Sequence, residues 1–249
     1  MRKYWIDHSA LNGSYVKFQG DIYHHIFDVC RQEVGSKFEI LIGDGRAHLV
    51  EVTSLQKKSA EGKVLETRQI PELPRPRIKL FLCIPRFHVM DSIIERAVQI
   101  GVAEIIPCYS DQSFIKSSLP QGKTERWQKI VISATQQSGR GTLMPIQEPR
   151  KLSQVLGSFN RNAHQLGLFA YEGAANQDIR SFLRGQAPDS RPEEIWLFVG
   201  GEGGFSSSEV QQFQQVGMES VSLGEQVLRV ETACIALLAV LKYEFELMR

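Results

Sequence analysis

Four glycines surround one carboxylate in Val199-Gly200-Gly201-Glu202-Gly203-Gly204-Phe205. Glycine tolerates positive φ and lets backbone amides come close to a ligand, at an entropic cost seldom accepted without a reason. About twenty residues later, Leu223-Gly224-Glu225-Gln226-Val227-Leu228-Arg229-Val230-Glu231-Thr232-Ala233 sets another glycine, a guanidinium and a carboxylate at the head of an apolar run. Taken alone, the glycine loop reads first as a plain strand-to-helix turn. It has no Lys-Ser or Lys-Thr at P-loop spacing, and Ser206 stands where a dinucleotide fingerprint needs its third glycine. The second segment changes that reading, because it is long and ordered enough to be specific. Together the two read as loops of one cofactor pocket.

The elements that must position them are legible. Glu194-Ile195-Trp196-Leu197-Phe198-Val199 is a short apolar run with the character of a buried strand, and the glycines start where it stops. Ser206-Ser207-Ser208-Glu209 then opens a helix with capping residues.

The pair of segments resembles the Gly-Pro-Glu-Gly-Gly-Phe and Leu-Gly-x-x-Ile-Leu-Arg-x-Glu-Thr-Ala motifs of the RsmE family, bacterial 16S rRNA (uracil-N3) methyltransferases of the SPOUT superfamily. Further stretches are similar to the same family: Ile84-Pro85-Arg86 with Met90 to Ala97, Gly101 to Pro107, Glu125 to Ile130, Gln137-Ser138-Gly139-Arg140, and His25, Val29, Arg31 and Val34-Gly35 near the start. The resemblance covers nearly the whole chain. It implies an α/β fold, a knotted SPOUT-type methyltransferase domain over residues 73–249 behind a small PUA-like β-barrel over residues 1–72. It also implies S-adenosylmethionine (SAM) as methyl donor, 16S rRNA or the small ribosomal subunit as partner, and a homodimer.

By the same resemblance, the adenosine lies against Leu223, Gly224, Val227 and Leu228, with Phe169, Gly200, Gly201, Gly203 and Gly204 completing the cofactor site. Glu202 reads equally as a cofactor contact or as a loop carboxylate capping nearby N–H groups. Uracil N3 is protonated at neutral pH, so its methylation needs the proton removed or the charge developing on O2 or O4 stabilised. A fixed guanidinium suits the second task. Arg229 leads and Arg140 follows, though each residue type also serves salt bridges and RNA phosphates. Glu231 is a tentative base, and equally a carboxylate favoured at a helix N-terminus. For RNA, Arg2, Lys3 and Arg31 of the first domain and Arg86, Lys116 and Arg126 of the second are the candidates.

The chain departs from the family pattern where Gly201 replaces proline, where Phe87-His88 replace Gly-Asp, and where Gln112 and Gln136 replace Arg and Glu. Two alternatives share these residues: a SPOUT enzyme acting elsewhere on RNA, such as a ribose 2′-oxygen, and a noncatalytic RNA-binding assembly factor. The intact loop pair with Arg229 speaks against the second.

With 249 residues, 42% hydrophobic and 23% charged, the chain can bury one or two cores. The apolar run Ala233 to Leu241 is too short to span a bilayer, and Met1 to His8 lead into no signal-like apolar stretch, so a cytoplasmic address is expected. Cys30, Cys83, Cys108 and Cys234 show no CxxC spacing and read as small buried hydrophobes, with no metal expected. A net charge of +1 neither argues for RNA nor against it.

Lys37 to Ile42 and Ala47 to Val52 flank Gly43-Asp44-Gly45, a hairpin signal, and Asp21 to Arg31 reads as a short helix before it. Pro71, Pro74 and Pro76 mark the boundary. Beyond it, strand-like runs at Ile78 to Ile84, Glu104 to Pro107, Gln165 to Tyr171 and Ile195 to Val199 alternate with helical patterns, which predicts a mostly parallel sheet. The last helix, Thr232 to Leu247, is apolar almost all round from Ala233 to Leu241 and needs cover on every side, from the core or from a second subunit.

Overall fold

Residues 1–160, 164–173, 175, 177–186 and 192–248 are described by the computed structural model. The chain forms two units, Met1–Glu72 with Ile132–Leu143, and Leu73–Val131 with Met144–Arg249.

In the first unit, alternating apolar residues give a six-stranded sheet in the order β1-β4-β5-β6-β3-β2. Its strands are β1 (Lys3–Trp5), β2 (Leu11–Asn12), β3 (Tyr15–Gln19), β4 (Lys37–Leu41), β5 (Arg46–Gln56) and β6 (Ser59–Gln69). The expected hairpin is present, with Lys37 opposite Glu51 and Leu41 opposite Ala47. Period-two burial sends Val16, Phe18, Phe38, Ile40, Val50 and Val52 into one core, where Phe18 meets Phe27 and Phe38 edge-on. The helix expected from Asp21 to Arg31 is a single α-turn, α1 (Gly20–Tyr23), continued by a π-helical stretch over His24–Val29. That wider winding seats Ile26 and Phe27 in the core while leaving Val29 exposed.

Residues 132–143 belong to this unit because their contacts are there. Gln136 Oε1 accepts the Trp5 N–H at 2.8 Å, the Lys3 side chain lies against Gly139, and Ile70 lies against Gly141.

The second unit is an all-parallel sheet of seven strands in the order β11-β13-β10-β12-β7-β8-β9. Its elements are β7 (Arg77–Cys83), α2 (Phe87–Ile100), β8 (Glu104–Tyr109), α3 (Lys123–Ser138, which from residue 132 belongs to the first unit), β9 (Arg150–Lys151), α4 (Leu152–Leu156), β10 (Gln165–Ala170), β11 (Gln177–Asp178), α5 (Ile179–Arg184), β12 (Glu194–Val199), α6 (Ser207–Gln215), β13 (Glu219–Ser222) and α7 (Val230–Glu244). The central strands are apolar on both faces, as a parallel sheet covered by helices requires. Across them Lys79 Nζ ties Glu194 at 2.8 Å to Glu104 at 3.1 Å. Burial would lower the Lys79 pKa, but its hydrogen bonds to these two carboxylates outweigh that and raise it.

The return from β13 decides the fold. β13 lies on the far side of β10 from β12, yet the chain comes back past the strand ends and packs α7 on α2, the helix that follows β7. This is the path that a knotted C-terminal region requires, and it brings residues 223–229 over the ends of the central strands. In α7, Val230, Cys234, Leu237, Leu238 and Leu241 are buried, whereas Ile235, Ala236, Ala239 and Val240 stay partly open and Tyr243 is exposed. The monomer therefore covers only one side of this apolar helix.

Candidate functional site

A cleft of about 840 Å³ opens at the carboxyl ends of β7, β10, β12 and β13. Ligands bind at that edge in open α/β sheets. Its walls come from Arg86, His88 and Val89 at the head of α2, Ala170 to Gly173 after β10, the glycine loop after β12, and Val221 to Glu231 with Ala233. The two segments first read as one pocket do converge.

The glycine loop closes on itself: the Gly204 N–H donates to Gly201 O at 3.0 Å. A Cβ on Gly200 would stand 2.8 Å from Gly204 Cα, and Gly204 itself has φ +66° with the Glu172 carboxylate filling the space a side chain would take. Gly203 packs on Gln112, and Gly224 has φ +112°. Ser206 caps α6 in a reciprocal box with Glu209, and the buried Glu209 also accepts the Asp111 N–H at 2.8 Å, so the loop after β8 is tied to the loop after β12.

Glu202 Oε1 accepts the Arg86 N–H at 3.0 Å. The capping role weighed for it is thus realised, and it holds the head of α2 against the glycine loop. Arg229 is the N-cap of α7, exposed and facing the cleft, with no ion pair among the described residues. A cation at a helix N-terminus opposes the helix dipole, so helix stability does not explain its position. Glu231, in the first turn of α7, suits that dipole and lines the cleft too.

Leu223, Gly224, Val227 and Leu228 all line the cleft, Val227 with 77% of its surface exposed. Phe169 does not. It is fully buried behind the wall and stacked on Phe213 at 4.3 Å, because alternation along β10 turns it into the core. Gly203 also lies off the lining, beneath Gln112. Arg140 belongs to the other unit and is not a cleft residue. Burial pushes its guanidinium down to about 10, which keeps it charged at neutral pH.

Residue-by-residue reading missed Glu172, His88 and Ser222. Their signal was positional, since each follows or ends a strand or opens a helix at the ligand edge. The cleft carries Glu172, Glu202, Glu225 and Glu231 against Arg86 and Arg229, an acidic balance.

Of the RNA candidates, Arg2 is exposed and donates to Cys30 O at 3.0 Å, which places it beside exposed Arg31, and Lys3 is half-buried on β1. Lys116 is exposed, and Arg126 is held by Asp91 at 2.8 Å. The cysteines are all free, with Cys30 only half-buried; burial pushes Cys83 up to about 12 and Cys108 well above its ordinary value. Among the described residues no group of three or more potential metal ligands occurs, and no helix is long and apolar enough to cross a membrane.

A family model described as an RNA methyltransferase domain matches residues 71–242, and one described as an RNA methyltransferase PUA domain matches residues 18–65. The ribosomal RNA small subunit methyltransferase E of Aquifex aeolicus is 31% identical over 90% of this chain and 91% of its own length. That of Bacillus subtilis is 28% identical over 92% and 90%. The crystal structure of the Neisseria gonorrhoeae ribosomal RNA small subunit methyltransferase E, bound to S-adenosyl methionine, superposes with a TM-score of 0.83 at 27% identity, covering 98% of this chain and 97% of that one.

Proposed function

The chain belongs to the RNA methyltransferase family, in the company of the ribosomal RNA small subunit methyltransferases E, and from that premise we propose that it transfers a methyl group from SAM to N3 of one uridine in 16S rRNA. The fold is the SPOUT-type methyltransferase domain with a PUA-like β unit that the motifs led one to expect. The observation that carries the activity is the convergence of both glycine segments and Arg229 on one cleft.

The residues present fit the cofactor. Turns without Cβ atoms offer backbone groups, Leu223 and Leu228 offer apolar surface for an adenine, and the acidic balance suits a ligand carrying ammonium and sulfonium charges. When bound, SAM supplies an electrophilic methyl group. Glu202 and the capped loops hold the walls in place beforehand, so little reorganisation is needed. Arg229 stabilises the negative charge that spreads over the uracil oxygens as N3 loses its proton, and Glu231 or Glu172 stands in the cleft to receive that proton. The first unit, with Arg2 and Arg31 exposed together, supplies phosphate contacts. The open face of α7 is the surface on which a second copy would pack, making a homodimer, and the cytoplasm, where ribosomal subunits are made, is the compartment.

Small subunits from a strain lacking this protein, treated with protein and SAM, should gain one strong primer-extension stop, because N3 lies on the pairing edge. Nucleoside mass spectrometry should identify 3-methyluridine. An alkali-resistant linkage without the stop would assign the enzyme to a ribose oxygen instead.

A further inference from the structure

Outside the cleft, an aromatic and basic cluster has no part in the chemistry described so far. Phe114 is 55% exposed, although its loop is tightly fixed. Its N–H donates to Ile84 O at 2.9 Å, and the preceding Ser113 Oγ accepts the Ser110 N–H at 2.9 Å and donates to Cys108 O at 3.2 Å. The ring is held outward by a built loop. Phe87 meets it edge-to-face at 5.8 Å, and Lys123 Nζ sits 4.0 Å over the Phe87 ring. Residues 113–129 carry Lys116, Lys123, Arg126 and Lys129 against Glu125, with Arg126 paired to Asp91 of α2 at 2.8 Å. Phe87 lies between Arg86 and His88, both of which line the cleft, so the aromatic pair stands at its mouth.

An exposed ring among cations fits one occupant well: an unpaired base, stacked on the ring, with its phosphates neutralised alongside. We propose that Phe114, supported by Phe87 and Lys123, is a stacking platform for a nucleotide next to the methylated one, holding the RNA strand so that the target base enters the cleft. This rests on the function proposed above. The cleft itself is acidic, so strand positioning must come from such neighbouring surface.

Phe114→Ala is a mild change at an exposed site. With small subunits lacking the modification as substrate, it should raise KM for the particles roughly ten-fold, the loss of about one stacked base. SAM affinity by calorimetry should be unchanged, and Phe114→Tyr should restore KM while Phe114→Leu should not. An unchanged KM, restoration by Leu, which would indicate an apolar protein partner, or a parallel loss of SAM affinity would each overturn the platform. If the wild-type protein transfers no methyl group to the particles, the proposed function fails, and the platform stands or falls separately. A single-stranded uridine-rich oligoribonucleotide should then bind Phe114→Ala several-fold more weakly than wild type in fluorescence anisotropy, and equal binding would refute it.

Discussion

In the mechanism proposed above, Arg229 and the glycines divide the work of the cleft between charge and space. Because Arg229 stands at a helix N-terminus that disfavours it, with no ion pair among the described residues, its removal should harm turnover more than cofactor binding. Arg229→Ala should lower kcat by about 10²-fold with SAM affinity nearly kept, as single-turnover assays and calorimetry can separate. Gly224, at φ +112°, is in a conformation that a β-branched residue cannot adopt without strain. Gly224→Val should abolish SAM binding while the far-ultraviolet circular dichroism stays native. Gly201 differs from both. Its backbone is outside the left-handed region, and the nearest atom to an added Cβ would be 3.6 Å away. Gly201→Ala should therefore stabilise the protein by about 0.4–1 kcal/mol in urea unfolding, by narrowing the unfolded ensemble. Gly201 stands where the family pattern has proline, and the loop around it is closed by the Gly204 N–H and by Glu202.

At the scale of elements, period and composition were enough to read the strands β7, β8, β10 and β12 and the buried face of α2, because a covered parallel strand is a continuous apolar run and an amphipathic helix repeats every 3.6 residues. β13 was not legible: Glu219-Ser220-Val221-Ser222 has one apolar residue in four, and only its pairing with β10 and β11 makes it a strand. The first sheet holds an acid-sensitive contact between elements. Arg68 on β6 donates twice to Glu39 on β4, at 2.8 and 2.9 Å, and this hydrogen bonding holds the Glu39 carboxyl below its ordinary value of 4.5. A depressed carboxyl contributes stability above its unfolded pKa and loses it as pH falls through the folded one. With Arg68 about half exposed, screening limits the contribution to about 0.5–1 kcal/mol. In Glu39→Gln, the urea midpoint should fall less steeply between about pH 5 and pH 3 than in the wild type. Equal slopes would show that the pair is energetically silent.

For the molecule as a whole, the prolines mark a boundary after residue 72, but residues 132–143 pack with the residues before it through Gln136, Gly139 and Gly141. A fragment starting at Arg75 would leave the end of α3 without those partners. Limited proteolysis should cut it between 132 and 143 and should leave that region intact in the full chain. Gln136, first noted as a departure from the family pattern, is the residue whose side chain makes that attachment. The sequence by itself determined the chemistry, because motifs such as Leu223 to Ala233 carry their residue types and spacing in one continuous stretch. It also determined the parallel sheet, whose apolar runs need no partner to be seen. Only the tertiary structure decided which side chains share the cleft. The path back from β13 to α7 brought Arg229 and Glu231 to the strand ends, alternation along β10 turned Phe169 inward, and the strand end put Glu172 over Gly204. Such juxtapositions join residues dozens of positions apart, and local periodicity holds no record of which distant segments will pair.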